Sequence, residues 1–426
     1  MPASVAASAL AVPHSRVREI AEIAMRMDGV LKLYFGESNL PTPACIEQAA
    51  RQALAEGYTY YTENAGLLSL RQALARYHFE LHGVELDPGS EIAVTASGVQ
   101  GLSLCLRCLV DPGDEALVLT PAWPNGSAIL NMSHAVVKEI PQPLVNGAYA
   151  IDFDALEASV TSRTRVLLYT SPSNPLGWVA TEHDQERLLE FARRHNLWLA
   201  ADEVYERLYY GDALASPSIL RKCTRDDAVV VIQSFSKAWC MTGWRLGWLA
   251  GRRDLIERAA QLNEFMVSCP AAFVQKAGEA ALAQGEPSLR ELLARLRENR
   301  DLCLAALRSM PGVTVPIPGG AFYLFPRIAL PGTDGLDDSF AFCKRLLLET
   351  KVGLAPGVAF GAGGEGSVRL CYASDRDTLR KALARLKRFL AGDQEAGVRL
   401  GASPKNLAQN RRRENLRGSG SGSPHT

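Results

Sequence analysis

Apolar residues follow two different spacings along this chain, and each spacing predicts a different element. In the first two thirds of the chain, short apolar runs alternate with longer stretches in which apolar residues recur at helical intervals. The short runs predict buried strands, and the longer stretches predict amphipathic helices. The predicted strands are 91–95, 115–119, 165–170, 197–202, 228–233 and 246–250. The predicted helices include 98–110, 182–195 and 252–263.

This alternation of strands and helices predicts an α/β fold. Strands that are apolar along their whole length are typical of a mostly parallel sheet that helices cover on both faces. In such sheets, ligands bind at the carboxyl ends of the strands. The residues that directly follow each predicted strand are therefore the first candidates for a functional site.

The pattern changes after Gly285, where the remaining elements predict a second, smaller α+β domain. They are a helix at 288–310, strands at 312–316 and 321–326, a helix at 339–349, a strand at 366–372 and a helix at 375–390. The last residues are rich in Arg, Asn, Gly and Ser, a composition typical of disorder. The predicted division is an N-terminal arm with part of the small domain at 1–45, a large domain at 46–285, the C-terminal small domain at 286–395 and a disordered tail at 396–426.

Composition narrows the class of protein. The 46 Lys and Arg residues equal the 46 Asp and Glu residues in number, so no overall field favours nucleic acid or an anionic membrane as a partner. No apolar run approaches the ~20 residues that a membrane helix needs. The nine cysteines follow no disulfide pattern, and reduced thiols predict a cytoplasmic location. The seven histidines show no ligand spacing, so no metal site is predicted.

The strongest chemical signal follows the strand at 228–233. Lys237 comes just after this strand, with Ser234 and Ser236 beside it and Arg245 eight residues further on. A lysine in an apolar setting can have a lowered pKa and attack carbonyl carbons. Hydroxyl groups and a guanidinium suit a bound phosphate. The structural alternative is a surface loop with one solvated lysine.

Other strand ends carry residues that suit the same kind of ligand. Asp202 ends the strand at 197–202, and a carboxylate there can pair with a protonated pyridine nitrogen. Asn174 lies in a Pro- and Gly-rich loop and can donate to a ring oxygen. Trp123 can stack on a flat ring. The alternatives are a helix cap for Asp202, a turn for Asn174 and a core position for Trp123.

The start of the predicted helix at 98–110 is a candidate phosphate site. Ser97, Gly98 and Val99 join the strand at 91–95 to this helix. Backbone N–H groups at a helix start point outward without intrahelical acceptors, and the helix dipole favours an anion there.

In this order, these strand ends resemble fold-type I pyridoxal-phosphate (PLP) enzymes. The similarity is greatest to the class I/II aminotransferase family, in its aspartate/aromatic/alanine aminotransferase-like branch, and it covers about residues 31–390. The resemblance implies a fold-type I PLP-dependent transferase that moves an amino group between an α-amino acid and a 2-oxo acid. It also implies a homodimer with shared active sites, small-molecule substrates, and no nucleic-acid or membrane partner.

The resemblance assigns roles residue by residue. Lys237 is implied as the catalytic residue that forms a Schiff base with PLP, with Asp202 and Tyr205 as its catalytic partners. The implied cofactor-binding residues are Ser97, Gly98, Val99, Trp123, Asn174, Asp202, Tyr205, Ser234, Ser236, Lys237, Arg245 and, from the neighbouring subunit, Tyr61. The implied substrate-binding residues are Gly36, Trp123, Asn174 and Arg369, in which Arg369 holds the α-carboxylate.

Two departures from the family pattern leave substrate specificity open. The usual Gly-Glu-Pro-Asp segment contains Ser38 and Asn39 in place of Pro and Asp, and the glycine pair at the helix start is Ser97 and Gly98. An aromatic or apolar substrate pocket is a further expectation, formed by Phe35, Tyr60, Trp123 and Phe265.

Two other functions compete with amino-group transfer. The same cofactor set also serves elimination, decarboxylation and carbon–carbon bond formation in biosynthetic enzymes, because the protein selects the bond that breaks by orienting it. A PLP-binding regulator without catalysis is the second alternative. Such a protein would carry a basic DNA-recognition helix, which is not visible in this sequence.

Overall fold

A seven-stranded sheet is the largest sheet in the computed structural model, which describes residues 5–10, 12–330 and 336–399. Its strands are β1 (Ile92–Thr95), β2 (Glu115–Thr120), β3 (Val136–Pro141), β4 (Thr164–Thr170), β5 (Trp198–Asp202), β6 (Val229–Ser234) and β7 (Gly247–Gly251). Their order across the sheet is β1-β7-β6-β5-β4-β2-β3. Every pairing is parallel except the two that β7 makes. The predicted mostly parallel sheet is therefore confirmed.

Burial of the strands explains why the apolar pattern of the sequence predicts six of the seven strands. β1, β2, β6 and β7 are buried at every position, so their sequences are continuous apolar runs. β3 lies at the edge of the sheet and has only one buried residue, Ile140. Its polar Lys138 and Glu139 interrupt the apolar pattern, and the sequence analysis did not predict this strand.

Helical layers cover both faces of the sheet, as predicted. On β4, Val166 and Leu168 belong to one hydrophobic cluster, whereas Leu167 and Tyr169 belong to another. Alternate residues of a strand point to opposite faces, so the sheet separates two apolar cores. The α-helices of the described chain are Ala7–Leu10, Arg16–Met25, Ala44–Ala55, Leu68–His82, Gly98–Leu109, Asn125–Met132, Phe153–Ser159, Glu182–His195, Phe235–Ala238, Arg253–Glu264, Ala272–Gln284, Glu286–Arg308, Ser339–Thr350 and Arg376–Arg399.

Local capping chemistry fixes the helix whose bounds the sequence predicts best, Glu182–His195. Thr181 and Asp184 form a reciprocal capping box at its start. Three basic residues occupy the last turn, where they complement the helix dipole. Asn196 then ends the helix in the left-handed conformation, with φ of 52°.

Short strands outside the large sheet form smaller sheets of two or three strands. Val368–Cys371 pairs antiparallel with Tyr323–Leu324 on one side and Ala355–Pro356 on the other. Leu31–Lys32 pairs with Val352–Gly353, so the N-terminal segment joins the C-terminal elements. The remaining short pairs are Val313–Thr314 with Arg327–Ile328 and Leu144–Val145 with Ala148–Tyr149.

The domain boundaries stay a prediction. The pairing of Leu31–Lys32 with Val352–Gly353 agrees with an N-terminal contribution to the smaller unit. The helix Arg376–Arg399 continues past residue 395, and residues 400–426 of the predicted tail lie outside the described residues. Within the part of the chain that the structure describes, every helix is too short or too polar to span a lipid bilayer.

A close backbone approach brings β7 against the start of the helix Gly98–Leu109. A Cβ atom on Gly247 would lie 2.5 Å from the Gly98 nitrogen and 2.6 Å from the Gln233 carbonyl oxygen. Only glycine fits such a contact. Three segments therefore meet where the strands end: the end of β6, the start of β7 and the start of the helix Gly98–Leu109.

Candidate active site

A cavity of about 450 Å³ opens at this meeting point, beyond the carboxyl ends of β4, β5 and β6. Its position is the one expected for a ligand site in a parallel α/β sheet. The cavity brings together residues that are far apart in sequence. The predicted site residues that line it are Gly36, Gly98, Val99, Trp123, Asn174, Asp202, Tyr205, Ser234, Ser236, Lys237, Arg245 and Arg369.

Two predicted site residues do not line the cavity. Ser97 is buried, and its hydroxyl accepts a hydrogen bond from the Gln100 N–H at 3.2 Å, so it caps the helix. Its φ of 108° turns the chain sharply before the helix starts. Tyr61 is 87% exposed on the surface. Its implied role in a neighbouring subunit stays a prediction.

Lys237 is half-buried on the short helix Phe235–Ala238, which follows β6. Its Nζ donates to the Gly36 carbonyl oxygen at 2.7 Å and lies 5.6 Å from the centre of the Tyr205 ring. Removal from water lowers the pKa of Lys237 to about 8, and the nearby Arg369 guanidinium acts in the same direction. A larger share of the amine is therefore neutral near neutral pH, which makes it a better nucleophile.

Asp202 ends β5 and is 5% exposed. One carboxylate oxygen accepts the Val204 N–H at 3.3 Å. Burial raises the pKa of Asp202 to about 6 because the ionised form loses its hydration. A cation placed in the cavity against this carboxylate would lower the pKa again and hold the ionised form.

The hydroxyl groups at the end of β6 face the start of the neighbouring helix. Ser234 and Ser236 are buried, and the Ser234 hydroxyl donates to that of Ser236 at 2.9 Å. A Cβ atom on Gly98 would lie 3.1 Å from the Ser234 Cβ, so the two segments are in close contact. Gly98 and Val99 are in the first helical turn, where N–H groups have no intrahelical acceptor. This set of donors suits an anion.

Arg245 adds a positive charge to the same end of the cavity. It stands in the left-handed conformation, with φ of 56°, just before β7. Its guanidinium donates to the Thr242 carbonyl oxygen at 2.6 Å. Burial lowers the pKa of Arg245. Hydroxyl, amide and guanidinium donors around one point are the chemistry that binds a phosphate dianion.

Arg369 is a further cation that lines the cavity. It is 3% exposed, and its guanidinium donates to Asn174 Oδ1 at 2.8 Å and to the Tyr34 carbonyl oxygen. The guanidinium also lies 4.6 Å from the centre of the Tyr323 ring. Its Nε has no hydrogen-bond partner among the described residues. A buried cation of this kind is stabilised by a bound anion such as a carboxylate.

The residues present fit the cofactor that the resemblance implies. Asp202 is a buried carboxylate for a pyridinium nitrogen, and the β6 and helix-start donors suit a phosphate group. Trp123 also lines the cavity, so a flat ring could stack on its indole. The buried Arg369 Nε–H has no acceptor among the described residues, so this guanidinium keeps an unsatisfied hydrogen-bond donor.

The sequence analysis missed Tyr323, which lines the cavity. Its hydroxyl is 2.7 Å from that of Tyr205. A Cβ atom on residue 36 would lie 2.0 Å from the Tyr323 hydroxyl, which explains why Gly36 is glycine. Tyr205 and Tyr323 are 118 residues apart, so no local motif in the sequence points to this contact.

The N-terminal helix supplies further residues that were missed. Arg18 lines the cavity with Ser15 and Val17. The signal that could have revealed this helix is the Ser15 hydroxyl, which accepts from the Arg18 N–H as an N-cap. Tyr60 and Phe265, which were expected in an aromatic pocket, are 84% and 82% exposed and do not line the cavity of the single chain, so their place in the pocket stays a prediction.

Comparison with known proteins identifies the family. The model of the family described as aminotransferase class I and II matches residues 29–386. The chain belongs to this family. It is 32% identical over 392 residues to an aspartate aminotransferase of Pyrococcus horikoshii, with 92% of this chain and 98% of that protein covered.

Two further comparisons agree with the family. The chain is 32% identical over 378 residues to an aromatic-amino-acid aminotransferase of Thermococcus litoralis, with 88% of this chain and 95% of that protein covered. The crystal structure of an aromatic aminotransferase from Pyrococcus horikoshii OT3 matches with a TM-score of 0.81 at 34% identity. That match covers 88% of this chain and 99% of the other.

These matches confirm the fold-type I α/β fold and the prediction of amino-group transfer. This aminotransferase is therefore an enzyme that moves an amino group between an α-amino acid and a 2-oxo acid. One relative is named for aspartate and the other for aromatic amino acids. Membership of the family therefore does not identify the amino donor of this chain.

Proposed function

We propose that this aminotransferase binds PLP covalently through Lys237 and uses the cavity described above as its active site. The observation that carries the proposal is one cavity that is lined by a lysine of lowered pKa, a buried carboxylate and a buried guanidinium. When bound, PLP supplies an electron sink for the charge that develops at the substrate α-carbon.

Asp202 and the phosphate donors orient the cofactor at its two ends. Asp202 stays ionised against the pyridinium nitrogen because this pairing offsets the cost of burying its charge. The helix-start N–H groups, Ser234, Ser236 and Arg245 hold the phosphate. Trp123 limits movement of the ring on its face. With both ends held, the reacting carbon stays within reach of Lys237.

Tyr205 and Asn174 complete the ring contacts. Burial raises the pKa of Tyr205 above its usual value, so its hydroxyl stays protonated and can donate to a ring oxygen. Tyr323 holds that hydroxyl in position at 2.7 Å. The Asn174 side-chain oxygen accepts from Arg369, so the NH₂ group of the same amide is the part that would donate to a ring oxygen.

Arg369 holds the substrate α-carboxylate, and Lys237 moves the proton. A guanidinium matches a carboxylate with two parallel hydrogen bonds, and the buried Nε–H of Arg369 lacks an acceptor among the described residues. With PLP and substrate bound, the Lys237 amine would be the base in the cavity that takes the α-proton. General acid–base help of this kind contributes about 10²–10⁴ in rate.

We further propose that the enzyme is a cytoplasmic homodimer in which Tyr61 reaches the neighbouring active site. Tyr61 belongs to a group of large apolar side chains that are exposed in the single chain, and such patches are typical of subunit interfaces. The members of the group are Tyr60, Tyr61, Phe265, Met266 and Val267. The free state of all nine cysteines supports a reducing compartment.

Borohydride reduction followed by peptide mapping tests the covalent assignment. We expect the reduced cofactor on the peptide that contains Lys237, because this is the lysine that the cavity exposes to the ring. Lys276, which is half-buried and does not line the cavity, serves as the control position and should carry no label above background. Label at another lysine as the main product would refute the assignment.

The pH dependence of cofactor capture by the apoprotein gives an independent check. The neutral amine is the nucleophile, and the pKa of Lys237 is lowered to about 8. The capture rate should therefore rise about tenfold per pH unit below pH 8 and level off above it. N-acetyl-lysine methylamide measured in parallel corrects for titration of the cofactor and should keep rising towards pH 10. A protein profile identical to that of the free lysine would contradict the lowered pKa.

A further inference from the structure

Tyr205 and Tyr323 share a single hydrogen bond, which uses only one of their two hydroxyl protons. The two oxygens lie 2.7 Å apart, and both side chains are buried and line the active-site cavity. Among the described residues, neither hydroxyl has another hydrogen-bond partner. Each hydroxyl has one proton to donate and lone pairs with which to accept. One proton therefore lies between the two oxygens, and the other has no acceptor in the part of the chain that the structure describes.

The two possible directions of this bond have different consequences for a bound cofactor. If Tyr205 donates to Tyr323, the Tyr205 proton is used within the tyrosine pair and cannot reach a cofactor oxygen. If Tyr323 donates to Tyr205, the Tyr205 proton remains available to the cavity. Burial raises the pKa of both hydroxyls, so both keep their protons near neutral pH. The direction of donation, and not ionisation, thus distinguishes the two arrangements.

The backbone next to Tyr323 is fixed against the segment that follows β5. The Ala321 N–H donates to the Leu208 carbonyl oxygen at 2.8 Å, and the Tyr210 hydroxyl donates to the Ala321 carbonyl oxygen at 2.6 Å. Ala321 has a φ of 58°, in the left-handed region, which a non-glycine residue keeps only where its surroundings hold it. These contacts keep the Tyr323 hydroxyl in place against Tyr205.

Four ionisable side chains act on the tyrosine pair from neighbouring elements. They are Lys237, Asp202, Arg369 and Cys371. The Arg369 guanidinium carbon lies 4.6 Å from the Tyr323 ring centre and opposes the rise in the pKa of Tyr323. A guanidinium stays charged at any ordinary pH, so this effect is always present. A more acidic hydroxyl is a better donor, and Arg369 therefore favours donation from Tyr323.

We propose that Tyr323 is a positioning residue that donates its proton to the Tyr205 oxygen and thereby directs the Tyr205 proton to the ring oxygen of bound PLP. This inference rests on the proposed function, because it requires PLP on Lys237. The ring oxygen supplies the acceptor that the remaining proton lacks, so bound PLP selects this direction of donation. In a chain of hydrogen bonds, each bond strengthens the next by about 10–30%. Tyr323 therefore acts on the cofactor through Tyr205.

The test measures the pH at which the visible absorption of the bound cofactor changes, in the parent and Tyr323→Phe holoenzymes. The Schiff-base nitrogen shares its proton with the ring oxygen, and a donor to that oxygen weakens its hold, so the proton leaves at lower pH. Tyr323→Phe should raise this midpoint by about 0.3 pH units, because a hydrogen bond to a charged group contributes about one to two pH units and Tyr323 supplies about a fifth of it. The opposite direction of donation predicts a lower midpoint, because the variant would free the Tyr205 proton.

A double-mutant cycle shows whether Tyr323 acts through Tyr205. In the Tyr205→Phe background, Tyr323→Phe should leave the midpoint unchanged, because the residue that transmits the effect is absent. Tyr372→Phe is the matched control, since Tyr372 and Tyr210 form another buried hydroxyl contact, at 2.9 Å, and neither lines the cavity. It should leave the midpoint unchanged. Incorporation of 3-fluorotyrosine at position 323 keeps the side-chain shape, supplies a more acidic donor and should lower the midpoint.

The outcomes separate this inference from the proposed function. An unchanged or lower midpoint in Tyr323→Phe, the same shift in the Tyr205→Phe background, or an equal shift in Tyr372→Phe would overturn the role of Tyr323 while the parent enzyme still carries its cofactor. Failure of the proposed function gives a different result, since the parent protein would then hold no cofactor on Lys237 and would show no visible absorption to titrate.

Discussion

A Lys237→Ala variant is expected to lose amino-group transfer with every donor and acceptor, with kcat lower by about 10⁴-fold. This is the upper end of what a positioned general acid–base group contributes, and the variant also loses the covalent bond to the cofactor. Steady-state turnover and the visible absorption of the bound cofactor are the measurements. Because the phosphate donors and Asp202 remain, the variant should still bind PLP, but dialysis should remove it.

Two further variants make this result specific to the amine. Lys237→Arg keeps a positive charge near Gly36 but supplies no neutral nucleophile, and it should be as inactive as the alanine variant. Lys276→Ala removes a lysine that does not line the cavity and should retain parental turnover. Turnover above one tenth of the parental rate in Lys237→Ala, with the cofactor still bound, would show that another group is the base.

An Asp202→Asn variant is expected to show the second largest effect, with kcat lower by about 10- to 10³-fold. An opposite charge in contact shifts a pKa by about one to three units, so its loss lowers the protonated fraction of the pyridine nitrogen by that factor. Asparagine keeps the shape of the side chain and removes the cost of a buried charge. The free energy of unfolding should therefore stay at or above the parental value, as measured by urea denaturation.

The neighbouring residue provides a matched control for the Asp202 prediction. Glu203 is buried next to Asp202, does not line the cavity, and burial raises its pKa to about 8. Glu203→Gln should leave kcat within about threefold, because the glutamate is already protonated at neutral pH. If Asp202→Asn retained parental kcat, the cofactor ring would not depend on this carboxylate.

Elements that are fixed by local pattern could be predicted from the sequence. Six apolar runs gave six strands of the large sheet, and the helix Glu182–His195 was predicted with its observed bounds. The antiparallel direction of β7 could not be predicted, because an apolar run indicates burial but not orientation. β3 was missed because an edge strand exposes polar residues that interrupt the pattern.

Some residues of the candidate site could be predicted from the sequence, and others could not. Residues in short motifs next to strand ends, such as Asp202 and Lys237, were found because sequence neighbours stay neighbours in the fold. Tyr323 and Arg18 were missed because they reach the cavity from distant elements. Their positions depend on how the helix Arg16–Met25 and the strand Tyr323–Leu324 pack against the sheet, and packing between distant segments leaves no periodic signal in one sequence.

The reversed strand β7 has a consequence for the mechanical integrity of the enzyme. Among the described residues, β1 is the last strand at its side of the sheet and pairs with β7 alone. The phosphate donors stand on the helix that follows β1 and on the connection from β6 to β7. PLP bound there would join the outermost strand to its neighbours and add about 2.7 kcal/mol to unfolding at a concentration 100 times its dissociation constant. Bound PLP would thus stabilise this side of the sheet. Without PLP, local unfolding of the apoenzyme is expected to begin at β1.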